Sequence, residues 1–298
     1  MHPPSVIPAP LQPGSRIRVI APSGPFDRTL VLRGMGWLGQ RYRVEFDWSI
    51  FERHGFLAGS DARRLEELNR ALADPGLGAI IAARGGYGLT RIAHLAEYGP
   101  LLRHPKWIVG FSDVTALHVE AAALGIASMH GPNAAALGRS DDWTQQRFIR
   151  ALETPRATRS FEGLCTLRPG LARGLLAGGN LSLLLACQAS GRLSLPAGAI
   201  LLIEDVTESA YRIDRMLSAL LAGGAFDGIG GVVLGDFSDC PDSQRVSVRN
   251  VLEERLAGLG VPVLSDLRFG HERYNEFVPL GTFAELDANA GRLQLSPD

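Results

Sequence analysis

The sequence predicts an α/β fold: a parallel sheet with helices on both faces, then a second α/β domain after a break in the pattern. Three observations predict it. Short apolar runs of strand length alternate with longer helical stretches, and such alternation calls for right-handed crossovers and parallel pairing. The 298 residues suffice for two domains at about 150 residues each. Hydrophobic residues make up 46% and charged residues 20% of the chain, ordinary globular usage that argues against long disorder.

The elements follow in order. The first fourteen residues, MHPPSVIPAPLQPG, read as an extended proline-rich arm. They lack the basic n-region and apolar h-region of a secretory signal. Residues 16–21 (RIRVIA) form a strand, 28–40 a helix that carries several glycines, and 44–48 a second strand. Residues 60–73 are the clearest early helix: Leu65, Leu68 and Leu72 recur at three and four, and Ser60 or Asp61 offers an N-cap. Residues 79–83 (AIIAA) are a buried strand running into the glycine loop RGGYG. A helix near 89–97, a strand at 107–110, a helix at 113–124, a strand at 126–130 and a helix at 142–152 complete the first half.

The pattern then dissolves into TPRATRSFEGLCTLRPG. The predicted organisation is an N-terminal domain over 1–155, a linker over 156–172 with room for one short strand, and a C-terminal domain over 173–298. The second half contains helices at 180–189, 210–222 and 243–256, and strands at 200–204 and 231–235. Short strands follow near 263, at 283–286 and at 292–295, the last two flanking the turn DANAG as a hairpin.

Composition excludes several function classes. Thirty basic against thirty-one acidic residues leave a net charge of −1, which removes the electrostatic motive for binding nucleic acid or an anionic membrane. Cys165, Cys187 and Cys240 are an odd count at unrelated spacings, so neither a disulfide framework nor a zinc ribbon is expected. No run approaches the roughly 18 apolar residues of a membrane span. The expectation is a cytoplasmic protein.

In open parallel sheets, ligands sit at the carboxyl ends of the strands. RGGYG and GFSD both follow strands, so they should share that edge. In IVGFSDVT a strand ends, a Gly-Phe-Ser turn follows, and a helix opens at Asp113. A serine there is lifted off the sheet edge, and the amide of the next residue, at a helix N-terminus, can stabilise an oxyanion. The hydrolase elbow wants glycine two residues after the serine, where this chain has Val114. The competing role for Ser112 is a plain helix cap.

A nucleophilic serine needs a base and a group to orient it. Of seven histidines, His118 reads as a packed helix residue. His130, ending a strand in MHGP, and His271, in the loop FGHERYNEFVPLG, remain level candidates. Glu204 is the candidate acid, because an apolar strand ends on it. Glu208, Arg212 and Asp214 read as a solvated ion network, with Glu208 and Arg212 spaced to pair at i,i+4.

The segments GFSDVTALH, GGNLSLL, LLIEDVTESAYRIDRML and GHERYNEFVPLG, with RGGYG upstream, together resemble the LD-carboxypeptidase family of serine peptidases, the muramoyltetrapeptide carboxypeptidases. The resemblance runs from about residue 14 to 295. It implies a Ser-Glu-His triad of Ser112, Glu204 and His271. It also implies a flavodoxin-like N-terminal domain, a smaller swivelling C-terminal domain and a homodimer, with no metal or other cofactor. The implied reaction is cleavage of the bond before a terminal D-residue. The Asp113 amide and an amide of Gly85 or Gly86 would meet the oxyanion. Arg84 and Arg212 are candidates for the substrate's terminal carboxylate, since guanidinium forks match carboxylates. Asn180 is either a cleft residue or an N-cap. RGGYG, without a lysine, is no phosphate loop.

Three functions compete. The first is a cytoplasmic murein-recycling enzyme that releases D-alanine from a tetrapeptide. The second is hydrolysis of a microcin-type peptidyl-nucleotide by the related immunity branch. Residues 181–203 contain no Trp, Tyr or Phe, hence no base-stacking platform there, and this favours the first. The third is a catalytically silent ligand-binding pair of domains, against which the three triad residues argue.

Overall fold

In a computed structural model that describes residues 5–296, the chain forms two compact units. The first four residues of the arm lie outside the described part. One unit comprises residues 5–155 with 276–279, the other 156–275 with 280 onward.

The first unit contains, in order, β1 (Arg16–Ile20), α1 (Arg28–Leu38), β2 (Arg43–Glu45), α2 (Asp61–Ala73), β3 (Leu77–Ala82), α3 (Gly99–Arg103), β4 (Trp107–Gly110), α4 (Thr115–Ala123), β5 (Ser128–His130), α5 (Ala134–Leu137) and α6 (Asp142–Glu153). The strand order β2-β1-β3-β4-β5, parallel throughout, is the flavodoxin-like one. All four residues of β4 are buried, and all but one of β3, as expected where helices cover both faces of a parallel sheet. α2 begins where Ser60 Oγ accepts from Arg63 N at 3.2 Å, and it buries Leu68, Ala71 and Leu72.

The helix expected at 89–97 is instead two 3-10 turns, Leu89–Arg91 and Ala93–Leu95, followed by α3. Leu89, Ile92 and Leu95 are spaced by three, which suits the tighter turn. The carboxylate of Asp113 also captures Leu89 N at 2.8 Å.

The second unit contains β6 (Arg159–Phe161), β7 (Cys165–Arg168), β8 (Leu171–Asn180), α7 (Leu181–Ala189), β9 (Ile200–Val206), α8 (Ala210–Ala222), β10 (Gly231–Ser238), α9 (Val248–Ala257) and β11 (Val263–Ser265). The chain then gives β12 (Val278–Leu280) to the edge of the first sheet beside β5, and returns for β13 (Phe283–Asp287) and β14 (Arg292–Leu295). The second sheet runs β6-β14-β13-β8-β9-β10-β11-β7. Its centre, β8 to β11, is parallel, and its flanks are antiparallel. The returning segment is anchored in the first unit: Phe277 meets Phe148 edge to face at 5.5 Å, and Glu276 pairs with Arg147 at 2.7 Å. No helix among the described residues is long and apolar enough to cross a membrane.

Residues 156–172, expected as a linker, supply β6, β7 and the start of β8. β6 and β7 sit at the sheet edges with half-exposed or exposed side chains, so no apolar run announces them. β8 is a central strand whose glycines resemble a loop in the sequence. They are there because β9 and the turn before it come close. A Cβ on Gly174 or Gly178 would stand 1.9 Å from the carbonyl oxygen of Gly198 or Leu202, respectively. Gly178→Ala is therefore expected to cost about 1–3 kcal/mol by overpacking, read as a lower urea midpoint. An unchanged midpoint would mean that the two strands separate easily. The helix expected at 243–256 begins only at Val248, where Ser247 Oγ accepts from Asn250 N at 3.1 Å.

Candidate active site

On the first unit, β4 ends at Gly110, and Ser112 opens a single 3-10 turn that leads into α4. Ser112 has φ +64°, the left-handed region that non-glycine residues avoid and that recurs at functional sites. Neither the turn nor α4 has a side-chain N-cap, so Ser112 does not serve as the cap. It is half-buried.

The glycine loop lies against this serine. A Cβ on Gly85 would stand 2.9 Å from Ser112 Cβ and 3.2 Å from its Oγ. Only glycine lets the loop backbone come this close. Gly86, exposed, has φ +109°. The loop is tied down at several points. Gly24 N donates to Gly85 O at 3.3 Å. The fully buried guanidinium of Arg64 donates to Gly88 O at 3.0 Å and to Pro22 O. The buried Asp113 carboxylate holds Leu89 N, and burial pushes this carboxyl up to about 6. Arg84 is exposed, and its Nη1 donates to Pro25 O at 2.6 Å.

Both histidines near the elbow are buried. His118 Nε2 lies 3.0 Å from Gly110 O and Nδ1 lies 2.8 Å from Ser128 Oγ. A carbonyl only accepts, so Nε2 carries the proton and Nδ1 accepts from the serine hydroxyl. Burial depresses this imidazole to about 4, so it is a neutral strut beneath the elbow. His130, wholly buried on β5, meets Phe111 edge to face and lies tilted against His118.

On the second unit, β9 buries Ile200 to Ile203 and then two acids, Glu204 and Asp205. Successive strand side chains face opposite ways, and these two do different things. Glu204 is wholly buried, and its Oε2 lies 2.7 Å from His271 Nδ1. Burial opposes a charged His271 imidazole, but the hydrogen bond and charge of Glu204 outweigh it, so its pKa rises. The His271 loop is fixed by the buried Asn275, whose Oδ1 accepts from Gly270 N at 3.2 Å.

Asp205 accepts instead from Asn180 Nδ2 at 2.9 Å, Val206 N at 2.8 Å and Ser182 N at 3.0 Å. Burial raises its carboxyl to about 6. Asn180 caps α7, with Oδ1 accepting from Leu183 N at 3.2 Å. Arg212, exposed on α8, pairs with Glu208 at 3.2 Å.

The structure thus joins Glu204 to His271 on one unit, and Ser112, Asp113 and Gly85 on the other. Such a carboxylate-bound imidazole can act as a general base, and such a serine as a nucleophile. Arg64, Asn275 and the Asp113 carboxylate were invisible to sequence reasoning, because the partners that fix the loops are backbone groups. Among the described residues, no group of three or more His, Cys, Asp or Glu is placed to hold a metal ion.

Two family models match the chain: LD-carboxypeptidase N-terminal domain over residues 17–131 and LD-carboxypeptidase C-terminal domain over residues 173–286. A putative carboxypeptidase of Streptomyces coelicolor is 42% identical, covering 97% of this chain and 96% of its own. The murein tetrapeptide carboxypeptidase of Pseudomonas aeruginosa is 34% identical over 80% of this chain and 81% of its own. Among solved structures, a muramoyltetrapeptide carboxypeptidase from Oxalobacter formigenes matches with TM-score 0.85 at 29% identity, covering 94% of this chain and 97% of that one. The microcin self-immunity protein MccF of Escherichia coli is a more distant match, 27% identical over 96% of this chain and 94% of its own.

Proposed function

Because the chain belongs to the LD-carboxypeptidase family, we propose that this carboxypeptidase is of the serine type and cleaves the L,D-peptide bond before the terminal D-alanine of murein tetrapeptides. The observation that carries the reading is the 2.7 Å contact between His271 and buried Glu204, in a family whose relatives include a murein tetrapeptide carboxypeptidase.

In this reading Ser112 attacks the scissile carbonyl. His271 takes its proton and later delivers it to the leaving amine, while Glu204 fixes the imidazole tautomer and stabilises the imidazolium. The oxyanion is met by the Asp113 amide, in the 3-10 turn that leads into α4, and by an amide of Gly85 or Gly86. Losing one such donor typically costs about 10²–10³ in turnover. Arg84, exposed in the glycine loop beside Ser112, is the side chain for the substrate's terminal carboxylate. Asn180 shapes the second unit's part of the site through Asp205. The enzyme is a cytoplasmic homodimer of peptidoglycan recycling that needs no cofactor.

The test is a mass-spectrometric assay of the purified protein with L-Ala-γ-D-Glu-meso-diaminopimelate-D-Ala, beside a peptidyl-nucleotide of the microcin type. The expected product is free D-alanine from the first. Turnover of the nucleotide conjugate alone would move the protein to the immunity branch that the MccF match represents. Against that outcome, residues 181–203 carry no aromatic side chain on which a base could stack.

A further inference from the structure

β10 is irregular where it passes Glu204. Its pairing with β9 runs Leu234 to Ile203 and resumes at Phe237 to Asp205, so Gly235 and Asp236 together stand opposite Glu204. An extra residue of this kind kinks a strand and re-aims its side chains, often beside an active site. The His271 loop docks on the kink. Asp236 N donates to Phe269 O at 2.8 Å, and a Cβ on Gly235 would lie 2.1 Å from that same oxygen. Two acids bracket the next residue of the loop. A Cβ on Gly270 would stand 2.9 Å from Glu204 Oε2 and 3.3 Å from Asp236 Cβ. Asp236 Oδ2 is sealed from solvent and has no hydrogen-bond partner, a vacancy that native structures seldom leave without a purpose.

We propose that Asp236 is a positioning residue of the reaction, a second carboxyl that sets how readily His271 takes up a proton. Its consequence for turnover rests on the serine-carboxypeptidase reading. Two carboxyls on either side of one glycine, one of them wholly buried, do not both ionise easily. Glu204 has the imidazole N–H as its partner. Asp236 is the one that holds a proton: burial, then Glu272 and Glu204, push its carboxyl up to about 7. The charged groups acting on it are Glu204 from β9, and Glu272 and His271 from the loop. Cys240, just past the end of β10, is a neutral thiol that burial raises to about 11. While Asp236 is protonated, His271 faces one charge fewer. Once Asp236 ionises, a further negative charge stabilises the imidazolium and makes His271 a stronger base.

The experiment is an NMR titration of the His271 ring in the full chain, assigned with His271→Gln, for wild type and Asp236→Asn. In wild type the His271 resonances are expected to show two inflections, its own and that of Asp236. In Asp236→Asn a single inflection remains, lower by about one pH unit, the size of effect that a nearby charge commonly has. The acid limb of kcat/KM for D-alanine release moves down with it, whereas loss of a merely structural contact would lower the rate without moving the limb. A His271 titration unchanged in Asp236→Asn overturns the proposal. Should that variant not fold, the wild-type curve alone decides, and a single inflection there overturns it equally. The titration needs no substrate. Absence of D-alanine release would therefore sink the functional reading, while shifted resonances would still support the role of Asp236.

Discussion

Ser112→Ala is expected to lower kcat for D-alanine release by about 10⁶-fold, the scale seen when a serine nucleophile is removed. Affinity for the tetrapeptide should change little, because the hydroxyl does its work in the transition state rather than the ground state. The backbone adds a second expectation. With φ at +64°, Ser112 sits where a Cβ crowds the following carbonyl, at a cost of about 1–2 kcal/mol. Ser112→Gly should therefore melt at a higher temperature than Ser112→Ala while being equally inactive. That pair of results would show local strain held for the sake of the hydroxyl's position. Activity surviving in both variants would remove Ser112 from the mechanism. Equal melting temperatures would deny only the strain.

The sequence was most legible where burial is complete on both faces. AIIAA, WIVG and ILLI read as strands because almost every side chain along them is buried, and the structure has them as β3, β4 and β9. It was least legible where a strand owes its residues to a neighbour's backbone. β8 looked like a loop because Gly174 and Gly178 make room for carbonyl oxygens. β6 and β7 hid because edge strands need no apolar alternation. Residues 276–279 gave no sign of joining the first unit, since long-range pairing leaves no local signature.

The candidate site divides the same way. Ser112 stood out as a strand-to-helix turn, and Glu204 as a carboxylate ending an apolar strand. Nothing local separated His271 from His130. What separates them is a tertiary contact: His271 meets a buried carboxylate, whereas His130 is enclosed among rings within the first unit. Asp236 could not have been found from the sequence at all, because its position depends on an irregular register between two strands.

Glu204→Gln is expected to cost about 10⁴-fold in kcat, the scale of losing the carboxylate that holds a catalytic imidazole in its working tautomer. In the wild type, Glu204 Oε2 can only accept from His271 Nδ1 once ionised. The proton therefore sits on Nδ1 and leaves Nε2 to act as the base. A glutamine amide can present N–H to the ring instead, which favours the other tautomer and removes the basic lone pair from the reacting side. The pH profile should change in a defined direction. Because Glu204 raises the His271 pKa despite burial, the wild-type acid limb of kcat/KM should lie above the ordinary histidine value of about 6.5. In Glu204→Gln, the residual activity should have its limb at lower pH. Stability follows the linked sign. A raised folded-state pKa gives a contribution that is complete below the unfolded value and lost as pH rises through the folded one. The stability gap between wild type and Glu204→Gln should therefore be widest in mild acid and narrow toward alkaline pH, as urea midpoints across that range would show. A gap that widened with pH would mean that Glu204 does not stabilise a charged His271, and the orienting role given to this carboxylate would fall with it.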